Sequence, residues 1–170
     1  MIPSKTKVVF SHGKESGPWG RKITRLANVA KGRGFIVESI DYSDTFDPAE
    51  RVARLQDYVE KEQGDYLLVG SSMGGYVAAV AAESCQPVGV FMMAPALFVP
   101  GYPHRHQSLK CDHVHIVHGW GDEVIPWELS MKYARQTDCQ LHLISGDHGL
   151  NSVLDDVVAQ FESFLSCCER

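Results

Sequence analysis

The chain has 170 residues, 44% of them hydrophobic and 22% charged, with a formal net charge of -5 and a pI near 5.9. That is the size and composition of one globular domain, which excludes a disordered chain, and the acidic balance argues against a nucleic-acid-binding protein. Five scattered cysteines (Cys85, Cys111, Cys139, Cys167, Cys168) with no C-x-x-C pair suggest neither a zinc ribbon nor a dithiol redox site. They read as reduced thiols in a cytoplasmic setting.

Taken in chain order, short apolar runs alternate with helix-period segments. The N-terminal apolar run is too short for a signal peptide, and no stretch approaches a membrane span. Near the C-terminus, Glu169 and Arg170 after Cys167 spoil a prenylation pattern. Residues 7–11 read as a buried strand. Pro18 suits a first helical position, followed by Ile23, Leu26, Ala27 and Ala30 on one helix face, with Gly32 and Gly34 as the stop. Residues 35–40 form the second strand. Asp47, Pro48 and Glu50 supply an N-cap, a Pro at the first helical position and a Glu two residues after it, ahead of the stripe Val52, Leu55, Val59.

The third strand, 66–69, runs into Gly70-Ser71-Ser72-Met73-Gly74-Gly75 and an Ala-rich helix over 76–84. Residues 88–93 and 113–118 are the fourth and fifth strands. Between them, 94–112 is an irregular connection punctuated by Pro95, Pro100, Gly101 and Pro103. Pro126 opens a helix with Trp127, Met131 and Ala134 on one face. Residues 140–144 are the sixth strand, and Asn151 or Ser152 caps a last helix with Leu154, Val157, Val158, Phe161 and Leu165 inward. Strands alternating with helices predict an α/β fold: three layers, a minimal, mostly parallel six-stranded sheet, helices on both faces, all in one domain over 1–170.

Gly70-Ser71-Ser72-Met73-Gly74 matches G-x-S-x-G at a strand-to-helix turn, the context such a turn needs to lift a serine out of the sheet. The residues two before and two after the serine approach closely, so only small side chains fit. Ser72 has Gly70 and Gly74 there. Ser71 would have Val69 and Met73, which are too bulky. A phosphate loop would want a lysine at the helix start or a G-x-G-x-x-G spacing, and neither is present. A serine needs an imidazole to take its proton and a carboxylate to orient that imidazole. Asp122 follows the fifth strand and His148 the sixth, both at the sheet edge where open α/β sheets bind ligands. Glu123 and Asp147 are nearby rivals for the carboxylate role. His104 and His106 sit in the irregular connection and His113 and His115 alternate on a strand. No Cys or acidic partner is arranged with them in the sequence, so no metal site is expected. His118 reads as structural.

With Ser72, the run His118-Gly119-Trp120-Gly121-Asp122-Glu123-Val124-Ile125-Pro126, and Gly146-Asp147-His148, the chain resembles the α/β-hydrolase superfamily, in its small lidless serine-esterase form. The resemblance spans nearly the whole chain, from His12 to the last helix. It implies a triad of Ser72, Asp122 and His148, in that chain order, and favours Asp122 over its rivals. It also implies an oxyanion hole made by the backbone N–H groups of Met73 and, in the loop Ser11-His12-Gly13-Lys14, of Lys14. A lysine there departs from the aromatic or apolar residue that relatives often carry. The insertion point of a cap domain holds only 94–112, too short for a helical cap. An open site is therefore expected, with His12, Gly13, Leu97, Phe98, Trp120 and Leu150 at the substrate and Val99, Tyr102 and Trp127 adding to an apolar rim. The activity implied is hydrolysis of small esters or thioesters through an acyl-enzyme, without a cofactor, nucleic acid or membrane, and with the oligomeric state left open. The alternatives are a non-catalytic ligand- or protein-binding member of the fold and, more weakly, a nucleotide-binding domain.

Overall fold

The computed structural model of the protein describes residues 5–102 and 104–169, so Pro103 and Arg170 lie outside the described residues. The elements are β1 (Lys7–Ser11), α1 (Arg21–Gly32), β2 (Ile36–Ile40), α2 (Pro48–Glu60), β3 (Tyr66–Ser71), α3 (Met73–Ala82), β4 (Gly89–Met93), β5 (His113–Gly119), α4 (Trp127–Thr137), β6 (Gln140–Ile144) and α5 (Leu154–Cys168). The six strands form one sheet in the order β2-β1-β3-β4-β5-β6, and every neighbouring pair is parallel. This is the α/β-hydrolase fold without a cap: the connection over 94–112 contains no helix or strand among its described residues.

Period-two alternation sorts the strand side chains between two cores. Val9, Leu68, Val90, Met92 and Ile116 face α2, α3 and α4. Val8, Phe10, Leu67, Val69, Phe91, Met93 and Val117 face α1 and α5. The chain reverses direction across the sheet between β1 and β3, whose carboxyl ends are neighbours. That switch point opens the crevice in which an open parallel sheet places a ligand.

Local chemistry moves some boundaries. Pro18 does not start a helix. It lies in the loop, its carbonyl taken by the Ser39 hydroxyl, and α1 begins after Gly20, whose extended backbone caps it. Asp47 caps α2 as expected, accepting from the Ala49 N–H at 3.0 Å. Neither Asn151 nor Ser152 caps the last helix: they form a 3₁₀ turn, Asn151–Val153, that leads into α5. The helix after the elbow starts at Met73, three residues before the sequence predicts. Gly74 and Gly75 read locally as turn residues, yet tertiary packing holds them in the first helical turn.

That packing is unforgiving. A Cβ on Gly70 would fall inside the Gly74 carbonyl, and one on Gly74 would fall inside the Ser11 carbonyl of β1. Backbone therefore rides on backbone where β3 turns into α3. Gly74→Ala is expected to cost about 3 kcal/mol or more, because the added methyl forces backbone apart, and so to lower Tm by roughly 6 °C or more. Gly64→Ala, where an added Cβ meets nothing within 4 Å, should shift Tm only slightly. Thermal unfolding of the two variants checks this, and equal, small shifts would contradict it.

Candidate active site

Ser72 sits at the apex of the β3–α3 turn with φ 55 and ψ -117, a left-handed-side conformation that a non-glycine residue holds only when its surroundings enforce it. They do so at both ends of the residue. Its N–H donates to the Met93 carbonyl at 2.9 Å. Its carbonyl accepts from the N–H groups of Gly75, Tyr76 and Ala96 at 3.0, 3.2 and 3.0 Å. The hydroxyl is thereby presented upward, at the N-terminus of α3, where N–H groups lack intrahelical acceptors and favour negative charge.

His148 Nε2 lies 3.0 Å from Ser72 Oγ, and His148 Nδ1 lies 2.8 Å from Asp122 Oδ2. No hydrogen bond joins Glu123 or Asp147 to His148 among the described residues. Asp147 instead accepts from the Leu150 N–H at 3.0 Å, closing its own loop. The loops carrying Asp122 and His148 are locked together by backbone bonds, Trp120 N–H to Ile144 O at 3.0 Å and Gly121 N–H to Gly146 O at 2.9 Å. A Cβ on Gly119 would collide with the Gly146 carbonyl, which is why a glycine follows the fifth strand's histidine.

Asp122 is fully enclosed and accepts four N–H groups. Oδ1 takes those of Val124 and Ile125, both at 2.8 Å, and Oδ2 takes His148 Nδ1–H and His118 Nε2–H, the latter at 3.0 Å. Burial pushes the carboxyl up, but the hydrogen bonds from His148 and from the Ile125 and Val124 backbone outweigh it and hold Asp122 below the ordinary carboxylate range. His118 is itself buried. Its Nε2–H also points at the Ile125 carbonyl, and its Nδ1 accepts from the Ser130 hydroxyl at 2.7 Å. This pattern fixes the neutral tautomer, and burial lowers its pKa. The sequence assigns His118 a structural place. The structure makes that place specific: it holds Asp122 Oδ2.

On the opposite wall, the β1–α1 loop is held by a guanidinium with no exposed surface. Arg51 of α2 donates to the carbonyls of Thr45, His12, Gly13, Lys14 and Tyr42 at 2.9–3.3 Å. Arg51 thereby ties the 12–14 carbonyls of the loop to α2. Arg51 lies on the buried face of a helix predicted from its aliphatic stripe, with no sequence signal to mark it. His12 is fully buried. Its Nδ1–H donates to the Gly13 carbonyl at 2.8 Å and its Nε2 accepts the Tyr42 N–H at 2.9 Å, so both nitrogens brace the loop.

The cleft above Ser72 holds about 570 Å³ and is walled by Gly13, Lys14, Lys22, Tyr102, Val124 and His148, among others. Of the residues expected at the substrate, Gly13 is present. His12 is not, for the reason just given. Leu97 and Leu150 are fully buried, each in one of the two cores, because they carry the chain back under the sheet edge. Phe98 packs beside His106 and under Lys132, and Trp120 is exposed without walling the cleft. Among the rim residues expected, Tyr102 takes its place and Val99 packs on the core. Lys22, which no sequence pattern marks, reaches in from α1, donates to the Gly149 carbonyl at 3.1 Å and is pushed down by burial to a pKa of about 8.

Solved structures resemble the chain across nearly its whole length. A Xanthomonas campestris protein assigned to the alpha/beta superfamily of hydrolases is 28% identical, with a TM-score of 0.88 over 96% of this chain and 99% of that one. Est1E from Butyrivibrio proteoclasticus, solved with ferulic acid bound, is 18% identical, with a TM-score of 0.79 over 96% and 90%. The mouse alpha/beta hydrolase domain-containing protein 10 is 18% identical, with a TM-score of 0.77 over 99% and 93%. Among curated proteins none matches. The fold and the likeness to the Xanthomonas campestris protein together place the chain in the α/β-hydrolase superfamily. Within it, residues 7–110 match the uncharacterised protein family UPF0227, and the chain belongs to that family.

Five shielded histidines, His12, His106, His115, His118 and His142, are kept neutral chiefly by burial, His106 and His115 down to about 4. Unfolding hydrates them and lets them take protons from pH about 6.5 downward. The stability they contribute is therefore present above that value and lost on acidification. His106 and His115 should each forfeit about 3 kcal/mol between pH about 6.5 and 4. Asp122, its carboxyl lowered, adds a loss only below its ordinary range. Urea unfolding across this interval is expected to show a flat plateau above pH about 7 and a steep decline below 6.5. Stability that rises on acidification through pH about 6 would contradict the assignment.

Proposed function

We propose that the protein is a serine hydrolase that cleaves small carboxylic ester or thioester bonds through an acyl-enzyme. The observation that carries this is the unbroken relay from Ser72 Oγ through the His148 ring to Asp122 Oδ2, with links of 3.0 and 2.8 Å. His148 takes the Ser72 proton as Oγ attacks the carbonyl carbon, and Asp122 stabilises the imidazolium that forms. The oxyanion of the tetrahedral intermediate lies against the backbone N–H groups of Met73 and Lys14. Collapse expels the leaving group, which receives the proton from His148, and water repeats the sequence to release the acid. No cofactor takes part.

An uncapped cleft of about 570 Å³ suits short acyl groups better than long lipid chains. Est1E, a neighbour in fold, has been seen with ferulic acid bound, itself a compact carboxylic acid. A non-catalytic binding role would have no need to hold serine, imidazole and carboxylate in this order, or to bury Asp122 beneath four N–H donors. Five free cysteines and the lack of any membrane-crossing helix among the described residues support a cytoplasmic setting, and the acidic balance argues against a nucleic-acid partner.

Turnover of p-nitrophenyl acetate and butyrate and of an acetyl thioester tests the reading. Ser72→Ala and His148→Ala should each reduce kcat by more than about 10⁴-fold, and Asp122→Asn by about 10³–10⁴-fold, with little change in KM. Activity confined to long-chain emulsified lipid would contradict the small-substrate reading. Turnover that survives Ser72→Ala would contradict the mechanism.

A further inference from the structure

His106 presents a problem that the catalytic site does not solve. Its ring is almost wholly buried, and neither Nδ1 nor Nε2 has a hydrogen-bond partner among the described residues. A neutral imidazole always carries one N–H donor and one acceptor, and both are costly to bury unmet. The ring is walled by Tyr76, Phe98 and Tyr133, with centroids 5.9, 5.0 and 5.4 Å away, so it cannot turn to water. The open direction is toward His104, 5.1 Å away, and Glu83.

Those two side chains complete a ligand set. Glu83, His104 and His106 each offer one ligand atom, and the three atoms lie within 4.8 Å of one another. Around a zinc-sized ion, with ligand bonds of about 2.0–2.2 Å, tetrahedral donor atoms stand roughly 3.3–3.6 Å apart, so closure requires movements on the order of 1 Å. The backbone beneath is already fixed. Glu83 Oε1 accepts the Gln107 N–H at 2.7 Å, and Gln136 Nε2 donates to the His106 carbonyl at 2.6 Å. The imidazole of His104 and the carboxylate of Glu83 keep some exposure, which gives an ion a way in. Burial keeps His106 unprotonated, as a ligand must be. Lys132 works against a cation here, and the Glu83 carboxylate offsets it.

We propose that Glu83, His104 and His106 form a binding site for a divalent transition-metal ion of the zinc class. Two imidazoles and one carboxylate suit such an ion, with the remaining position left to water. The ion would pin the 94–112 connection to the end of α3. The same connection supplies the Ala96 N–H that holds the Ser72 carbonyl and the Tyr102 side chain that walls the cleft, so the expected effect is structural. In the sequence, His104 and His106 have no acidic partner. The fold provides one from 21 residues upstream of His104.

Isothermal titration of Zn²⁺ into the chelator-treated, full-length protein tests this, alongside thermal unfolding with and without the ion. The expected result is one ion per chain, a raised Tm, and binding weakened at least tenfold in each of Glu83→Gln, His104→Gln and His106→Gln. Circular dichroism of the metal-free variants establishes that they fold, and Co²⁺ substitution should give visible bands diagnostic of low coordination number in the wild type alone. Failure of the folded wild type to bind, or 1:1 binding that all three substitutions leave unchanged (an ion at another cysteine or histidine cluster), would overturn the proposal. Neither result bears on Ser72, whose labelling is read separately.

Discussion

The backbone crossing at the elbow is the constraint on which the rest depends. Gly74 rests on the Ser11 carbonyl and Gly70 on the Gly74 carbonyl, so β1, β3 and α3 meet without side chains between them. This contact sets the angle at which α3 leaves the sheet and forces Ser72 to φ 55. It also brings the end of β1, and therefore the loop over 12–17, against the nucleophile. The four backbone hydrogen bonds made by Ser72 repay the strain locally. Three come from α3 and from the 94–112 connection, so the apex is held from both sides of the sheet edge.

Two buried polar networks then position the groups around that apex, one on each wall. Arg51 and His12 gather the carbonyls of the β1–α1 loop. His118, with Ser130 behind it, shares Asp122 Oδ2 with His148. Both networks put a cation or donor beneath acceptors that would otherwise be buried unmet, a more costly state than an exposed one. Their shared logic is that no group around the cleft is held by a flexible side chain alone. The serine is fixed by backbone, the carboxylate by two backbone and two imidazole N–H groups, and the β1–α1 loop by a guanidinium in contact with its His12, Gly13 and Lys14 carbonyls.

The fold was largely legible in the sequence because its signals are periodic and local. All six strands, their parallel arrangement and the alternating helices follow from apolar runs and stop residues, and the boundaries that moved did so where tertiary contact overrules propensity, as at Gly74 and Gly75. The placement of Ser72, Asp122 and His148 was legible because each lies in a motif at a strand end. What was not legible depends on pairings distant in sequence. Arg51 looks like a charged helix residue until the loop it anchors, some 38 residues away, is placed beside it. Glu83 gives no sign of facing His104. Leu97 and Leu150 read as exposed rim residues because loops are usually at the surface, but these two turn inward, Leu150 at a φ of 57, to close the ends of the cores. Hydrophobicity near a catalytic motif does not by itself separate a substrate wall from a core plug.

The proposed function requires that the assembled relay activate Ser72. Reaction with a fluorophosphonate probe, followed by peptide mass spectrometry, measures that activation directly and needs no knowledge of the substrate. A stoichiometric adduct on Ser72, absent from Ser72→Ala and from a folded His148→Ala, is the expected result. A folded wild-type protein that gives no adduct, or one labelled equally in His148→Ala, would contradict the account and leave the cleft as a binding site.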